Sequence, residues 1–161
     1  MSWSTLIGSV VMIGHSLFGP DNPQMLDQLL NARSEASVSV EVQIINGAPL
    51  QYNWDHADSA EGINARIRLR QPTDAVIVTE AIPLANHLKW SNTPDAVTRF
   101  YYLSLAANRN TQFYLQETWH SLDSGSGKEV EFDDGMAIPW RDRLAQDLPR
   151  WQGVVDKVNA N

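Results

Sequence analysis

Apolar and polar positions along the chain fall into segments with the period of a strand or of a helix. The first is "SVVMIGHS", where Val11, Met12 and Ile13 form the end of a buried strand before the chain turns at Gly14. "NPQMLDQLLNAR" follows, with Met25, Leu26, Leu29 and Leu30 at helical spacing. In "VSVEVQIINGAP", Val38, Val40, Val42 and Ile44 alternate with polar residues, which predicts a second strand ended by Gly47 and Pro49. "LQYNWDHADSAEG" reads as an aromatic and polar loop, and residues 60–70 as a modest helix. "TDAVIVTEA" is a third strand of the near-continuous apolar kind found in parallel sheets.

A long helix is predicted over residues 92–107, capped by Asn92 or Thr93 with Pro94 in its first turn. "TQFYLQETW" is a fourth strand. "SLDSGSGKEVEFDDG" has no period and reads as a flexible loop, and the last segment, from Ile138, reads as helical with a break at Pro149. No internal repeat is found. Strand and helix alternate from end to end, which predicts a three-layer, flavodoxin-like α/β fold: a parallel sheet with helices on both faces.

Length and charge narrow the class. The 161 residues, 43% of them hydrophobic, fit a single domain over residues 1–161. A net charge of −7 with no Lys/Arg cluster argues against nucleic acid and anionic membranes as partners. No apolar run has the roughly 18 residues of a membrane span, and the N-terminus lacks the pattern of a signal peptide, so the expectation is a soluble chain. The absence of cysteine removes disulfides, a thiolate nucleophile and Cys-based zinc sites, and assigns no compartment. His15, His56 and His87 form no metal-binding spacing, so neither a metal nor another cofactor is expected.

In parallel α/β sheets ligands bind beyond the carboxyl ends of the strands. Four such ends are legible: residues 14–19, 46–52, 79–84 and 117–120. At the first, Ser16 has two readings, a turn or helix-cap serine or a nucleophile presented to a cleft with backbone N–H groups to receive an oxyanion. At the fourth, "ETWH" sets Glu117 three residues before His120. His120 could take the proton of Ser16 with Glu117 holding its other nitrogen, or it could simply hydrogen-bond or stack in a sugar or acyl site. Glu80, at the end of the third strand, reads equally as a site residue or as one half of a buried pair with an arginine.

"IGHSL", placed directly after the first strand, resembles the nucleophile motif Gly-Asp-Ser-Leu of the SGNH (GDSL-type) hydrolase superfamily, with His15 where aspartate is usual. The resemblance implies a flavodoxin-like fold and an esterase or carbohydrate deacetylase activity, with polysaccharide O-acetyltransferases among the relatives. It implies Ser16 as nucleophile and one oxyanion donor, and Gly47 in "INGAP" as the second donor, although that glycine falls early in its loop. The family's third motif, Gly-x-Asn-Asp, is replaced by "TEAIPLANH", where Asn86 and His87 are the nearest stand-ins. Its last motif, Asp-x-x-His after a fifth strand, does not occur.

The expectation is therefore a serine hydrolase acting on a small acyl ester such as a glycan O-acetyl group. Its catalytic residues would be Ser16, His120 and Glu117, and its substrate contacts His15, Glu80, His87 and the aromatic faces of Trp54, Trp90 and Trp119. Trp140 and Trp151 are expected to pack the final helix onto the sheet. The alternatives are acetyl transfer through the same acyl-serine and a non-catalytic carbohydrate-binding relative. A receiver-like or flavodoxin reading lacks the paired aspartates or phosphate loop it requires. With four strands legible, the last strand and the C-terminal catalytic segment of the family are expected to be missing, leaving an open sheet edge for self-association or for chain beyond residue 161.

Overall fold

The computed structural model describes residues 7–19, 21–32 and 37–160. Arg33, the last residue of the first predicted helix, lies outside the described residues.

Four strands form the parallel sheet that the alternating pattern predicts: β1 (Ser9–Gly14), β2 (Ser39–Ile44), β4 (Ala75–Thr79) and β5 (Gln112–Gln116). β3 (Glu61–Gly62) adds two antiparallel residues beside β2, giving the order β3-β2-β1-β4-β5. The registers Gly14↔Ile44, Ile13↔Val78 and Thr79↔Gln116 bring the carboxyl ends of all four parallel strands to one rim. β1 is central because it is apolar on both faces. Val11 and Ile13 face a core shared with Val76, Val78, Phe100, Val154 and Val158, while Val10 and Met12 face a second core with Phe18, Val38, Ile44, Leu26 and Leu30. A strand buried on both sides reads as a continuous apolar run, as this one does.

The helices cover both faces. α1 (Asp21–Asn31) lies on the second core, and α5 (Thr93–Ala107) and α6 (Trp140–Asn159) lie on the first. The chain has the flavodoxin-like α/β fold expected of it. The fifth strand of the sheet is β3, at the edge beside β2, and among the described residues no strand follows β5.

Several local expectations are corrected. The supposed loop over residues 50–62 contains α2 (Leu50–Asp55) and a 3-10 turn (Ala57–Ser59). Buried Leu50 and Asn53 fix α2 against the core, where Gln43 donates from its amide to Asn53 and accepts from the Ala65 N–H at 2.7 Å. The predicted helix over residues 60–70 shrinks to α3 (Ala65–Arg68), because Glu61 and Gly62 pair with β2. A helix unseen in the sequence, α4 (Leu84–Trp90), follows a cis Ile82-Pro83 bond. Neither Asn92 nor Thr93 caps α5 with its side chain; Asn92 is left-handed, at φ 44°, and Pro94 holds the first turn. α6 runs through Pro149 unbroken. Ala145 and Pro149 are both exposed, so the carbonyl that loses its donor lies on the water side, while Trp151, Val154 and Val158 anchor the helix.

The Gly/Ser/acidic stretch is built rather than loose. Arg143 of α6, buried, donates to both carboxylate oxygens of Asp133 at 2.7 and 2.9 Å and to the Ser124 hydroxyl at 3.1 Å. Ser124 donates in turn to the Ile138 carbonyl, and the Gly125 N–H to the Met136 carbonyl at 2.7 Å. Periodicity is blind to such a segment, because a polar anchor organises it from another element.

Candidate active site

β1 ends at Gly14, and the chain turns at once, with the Phe18 N–H donating to the His15 carbonyl at 2.9 Å. Glycine is required there by close approach: a Cβ on Gly14 would stand 2.6 Å from Thr79 Cγ2 and 3.1 Å from the Phe18 ring. Buried Phe18 roots the turn in the core, and the turn lifts Ser16 into solvent. Among the described residues the Ser16 hydroxyl has no hydrogen-bond partner, so it caps no helix.

His15, beside it, is 3% exposed and faces inward. Its Nε2 lies 3.0 Å from the Glu80 carbonyl and its Nδ1 accepts weakly from the Leu17 N–H at 3.4 Å, which assigns the proton to Nε2. Burial pushes its pKa down, opposed by the bond to the Glu80 carbonyl, so the ring is neutral at neutral pH. His15 could either contact substrate or hydrogen-bond structurally; both its ring nitrogens are engaged inside the protein, which makes it a clamp beneath the turn.

Glu80 also faces inward. It is fully buried and, among the described residues, has no arginine partner; Oε1 accepts from the Leu50 N–H at 2.9 Å and the Ala81 N–H at 2.8 Å. Burial raises its pKa, partly offset by the Leu50 N–H, the Thr93 hydroxyl and the Ala81 N–H. His87, half-buried on α4, has Nδ1 3.2 Å from the Ser91 hydroxyl, and burial lowers its pKa. Gly47 sits three residues past β2, exposed, at φ 69°, a left-handed turn conformation suited to glycine.

The tryptophans separate. Trp54 packs edge-on against Phe100, with ring centroids 4.9 Å apart, and carries the Arg66 guanidinium 5.2 Å from its ring. It is half-buried and packs against the core at the α2–α5 contact. Trp90 and Trp119 are exposed, and Lys89 lies 4.2 Å over the Trp90 ring. Trp151 is buried in α6 as expected, whereas Trp140 opens that helix and donates from Nε1 to the His120 carbonyl at 3.0 Å.

His120 is buried, but its partner is not Glu117, which is exposed and makes no hydrogen bond among the described residues. The chain past β5 turns the two side chains apart. Instead His120 Nε2 lies 2.6 Å from Asp147 Oδ2, on α6, and Arg150 holds the other Asp147 oxygen. Burial alone would raise the Asp147 carboxyl; the bonds from His120 and Arg150 outweigh it and hold it below the ordinary range. Among the described residues His120 Nδ1 has no hydrogen-bond partner. These groups line a cavity of about 140 Å³ together with Asn86, Asp134 and Gln146. Ser16 is not among its lining residues, and no hydrogen bond joins Ser16 to His120. Asp147 was invisible to motif reading because it lies 27 residues from His120; its only local sign is the Asp147/Arg150 helical pair.

Among the described residues no cluster of three His, Asp or Glu could hold a metal ion, and no helix is long and apolar enough to cross a membrane.

No family model matches the chain, and no curated protein matches its sequence. Among solved structures it is similar to a protein described as "a putative SGNH hydrolase from Slackia heliotrinireducens", with TM-score 0.58 and 21% identity over 91% of this chain and 76% of that one. It is also similar to a DUF4886 family protein from Bacteroides uniformis, with TM-score 0.65 and 15% identity over 94% of this chain. The chain spans 64% of the length of that second protein. The chain therefore shares its α/β fold with these two proteins.

Proposed function

We propose that the chain is a serine hydrolase of SGNH type that cleaves a small acyl ester, with Ser16 as nucleophile. The observation that supports this best is the placement of Ser16: exposed, with its hydroxyl unengaged, on a tight turn at the carboxyl end of the central strand of an SGNH-like fold. Ser16 Oγ would attack the acyl carbon and lose its proton to a base, while the Ser16 and Gly47 N–H groups receive the carbonyl oxygen. The alcohol leaves with a proton, and water then releases the acid from the acyl-serine. His120 is the base this reading assigns, with Asp147 in the orienting place first given to Glu117 and Nδ1 as the free nitrogen. A glycan O-acetyl group is the substrate we favour, since the exposed faces of Trp90 and Trp119 suit a sugar ring. Transfer of the acetyl group to a sugar hydroxyl uses the same intermediate. No cofactor enters this chemistry.

A second reading, a non-catalytic carbohydrate-binding relative, draws on the lack of a hydrogen bond between Ser16 and His120. Fluorophosphonate labelling read by intact mass separates the two. The hydrolase reading expects one adduct, lost in Ser16→Ala and sharply reduced in His120→Ala. Absence of any adduct on the wild-type chain favours the binding protein.

A further inference from the structure

Three segments that carry proposed site residues converge on one buried residue, two on its backbone carbonyl and one on its carboxyl. The Glu80 carbonyl accepts from His15 Nε2 at 3.0 Å, beneath the turn that presents Ser16. The same oxygen accepts from the Thr118 hydroxyl at 3.3 Å, two residues before His120. The Glu80 carboxyl, through Oε1, accepts from the Leu50 N–H at 2.9 Å, three residues after Gly47, and from its neighbour Ala81 at 2.8 Å.

The chemistry explains why an acid stands at this strand end. Leu50 opens α2, so its N–H has no partner within the helix, and Leu50 is fully buried, so water cannot supply one. Pro49, which precedes it, has no hydroxyl or amide with which to cap the helix. A side chain reaching across from β4 must serve, and Glu80 does so at a separation of 30 residues. His15, buried with one N–H to satisfy, meets the carbonyl of the same residue. Glu80 Oε2 and the Thr93 hydroxyl are both buried and, among the described residues, lack a well-formed hydrogen bond.

We propose that Glu80 is the positioning residue of this site: its carbonyl holds the turn that presents Ser16, its carboxyl holds the loop that presents Gly47, and the two therefore keep one relative geometry. Glu80 touches no substrate. The proposal rests, for its catalytic meaning, on the reading of Ser16 as nucleophile.

The test compares wild type, Glu80→Ala and Glu80→Gln by amide hydrogen exchange at Leu50 and Phe18 and by the rate of fluorophosphonate labelling of the folded protein. In Glu80→Ala, exchange is expected to rise at Leu50 and also at Phe18, whose N–H closes the Ser16 turn. Labelling is expected to slow by at least about tenfold, as for a nucleophile moved by a fraction of an ångström. Glu80→Gln, whose amide oxygen accepts the same two N–H groups, should restore both readouts.

A rise at Leu50 with Phe18 unchanged would overturn the proposal, because the two segments would then be independent. So would labelling of folded Glu80→Ala at the wild-type rate. A wild-type chain that takes no label overturns the hydrolase reading instead, and the paired exchange at Leu50 and Phe18 still decides the coupling. Should Glu80→Ala fail to fold, His15→Leu breaks the link from its other end and is read by the same pair of amides.

Discussion

His120 Nε2 and Asp147 Oδ2 meet at 2.6 Å, both side chains buried, across 27 residues of sequence. Asp147 also binds Arg150, so its removal strands two donors, one of them buried. Asp147→Ala is expected to destabilise by about 3–5 kcal/mol, the usual cost of breaking a buried pair from one side. Urea unfolding measures it, and a loss under 1 kcal/mol would show the pair to be of little structural consequence.

The same carboxyl sets a pH dependence. Its pKa is depressed in the folded state below the ordinary value of 3.8, so its contribution is fully present above that value and is lost as pH falls through the folded value. The stability difference between wild type and Asp147→Asn should shrink as pH falls below about 4. A difference that instead grew on acidification would contradict the sign.

Glu80 carries the opposite sign. Burial raises its folded pKa above the ordinary 4.5, so the folded state binds the proton more tightly and loses stability as pH rises from that value to the folded one. Glu80→Gln, which keeps the hydrogen bonds without the charge, should match wild type near pH 4 and become the more stable protein as pH rises. Thermal unfolding of the two across that range checks it.

The turn-rich segment over residues 121–138 depends on Arg143. Arg143→Ala removes both bonds to Asp133 and the one to Ser124, and is expected to cost about 3 kcal/mol. Limited proteolysis should then cut within residues 121–135 well before the sheet. Equal resistance in the variant and wild type would mean that the segment holds itself.

Gly14→Ala puts a methyl group 2.6 Å from Thr79 Cγ2, a clash expected to cost about 1–3 kcal/mol of overpacking. Thr79→Ser deletes that methyl and keeps the hydroxyl that donates to Gln116. The double variant should therefore recover part of the loss, a coupling that a double-mutant cycle reads directly.

Much of the fold was legible. The alternation in residues 38–44, the apolar runs around Val11 and Val76 and the segment "TQFYLQETW" placed the four parallel strands, since a strand buried on one or both faces must show it locally. α2 and α4 escaped for the complementary reason. They are short, and what holds each is a few contacts to distant elements, such as Leu50 to Glu80, which no window of neighbouring residues contains. The Ser16 turn was found because its signals, a strand end, a glycine and a motif, are contiguous.

By itself, the sequence determined the period of each element, and with it the parallel sheet, the rim of strand ends and Ser16 upon that rim. The tertiary structure alone decided the partners. It gave His120 to Asp147 rather than Glu117, turned His15 and Glu80 inward, and bound the acidic segment to Arg143. The reason is physical: backbone conformation follows from local sterics and one-sided burial, whereas a buried polar group takes whichever partner the packed chain brings within about 3 Å, and that partner can lie anywhere in the sequence.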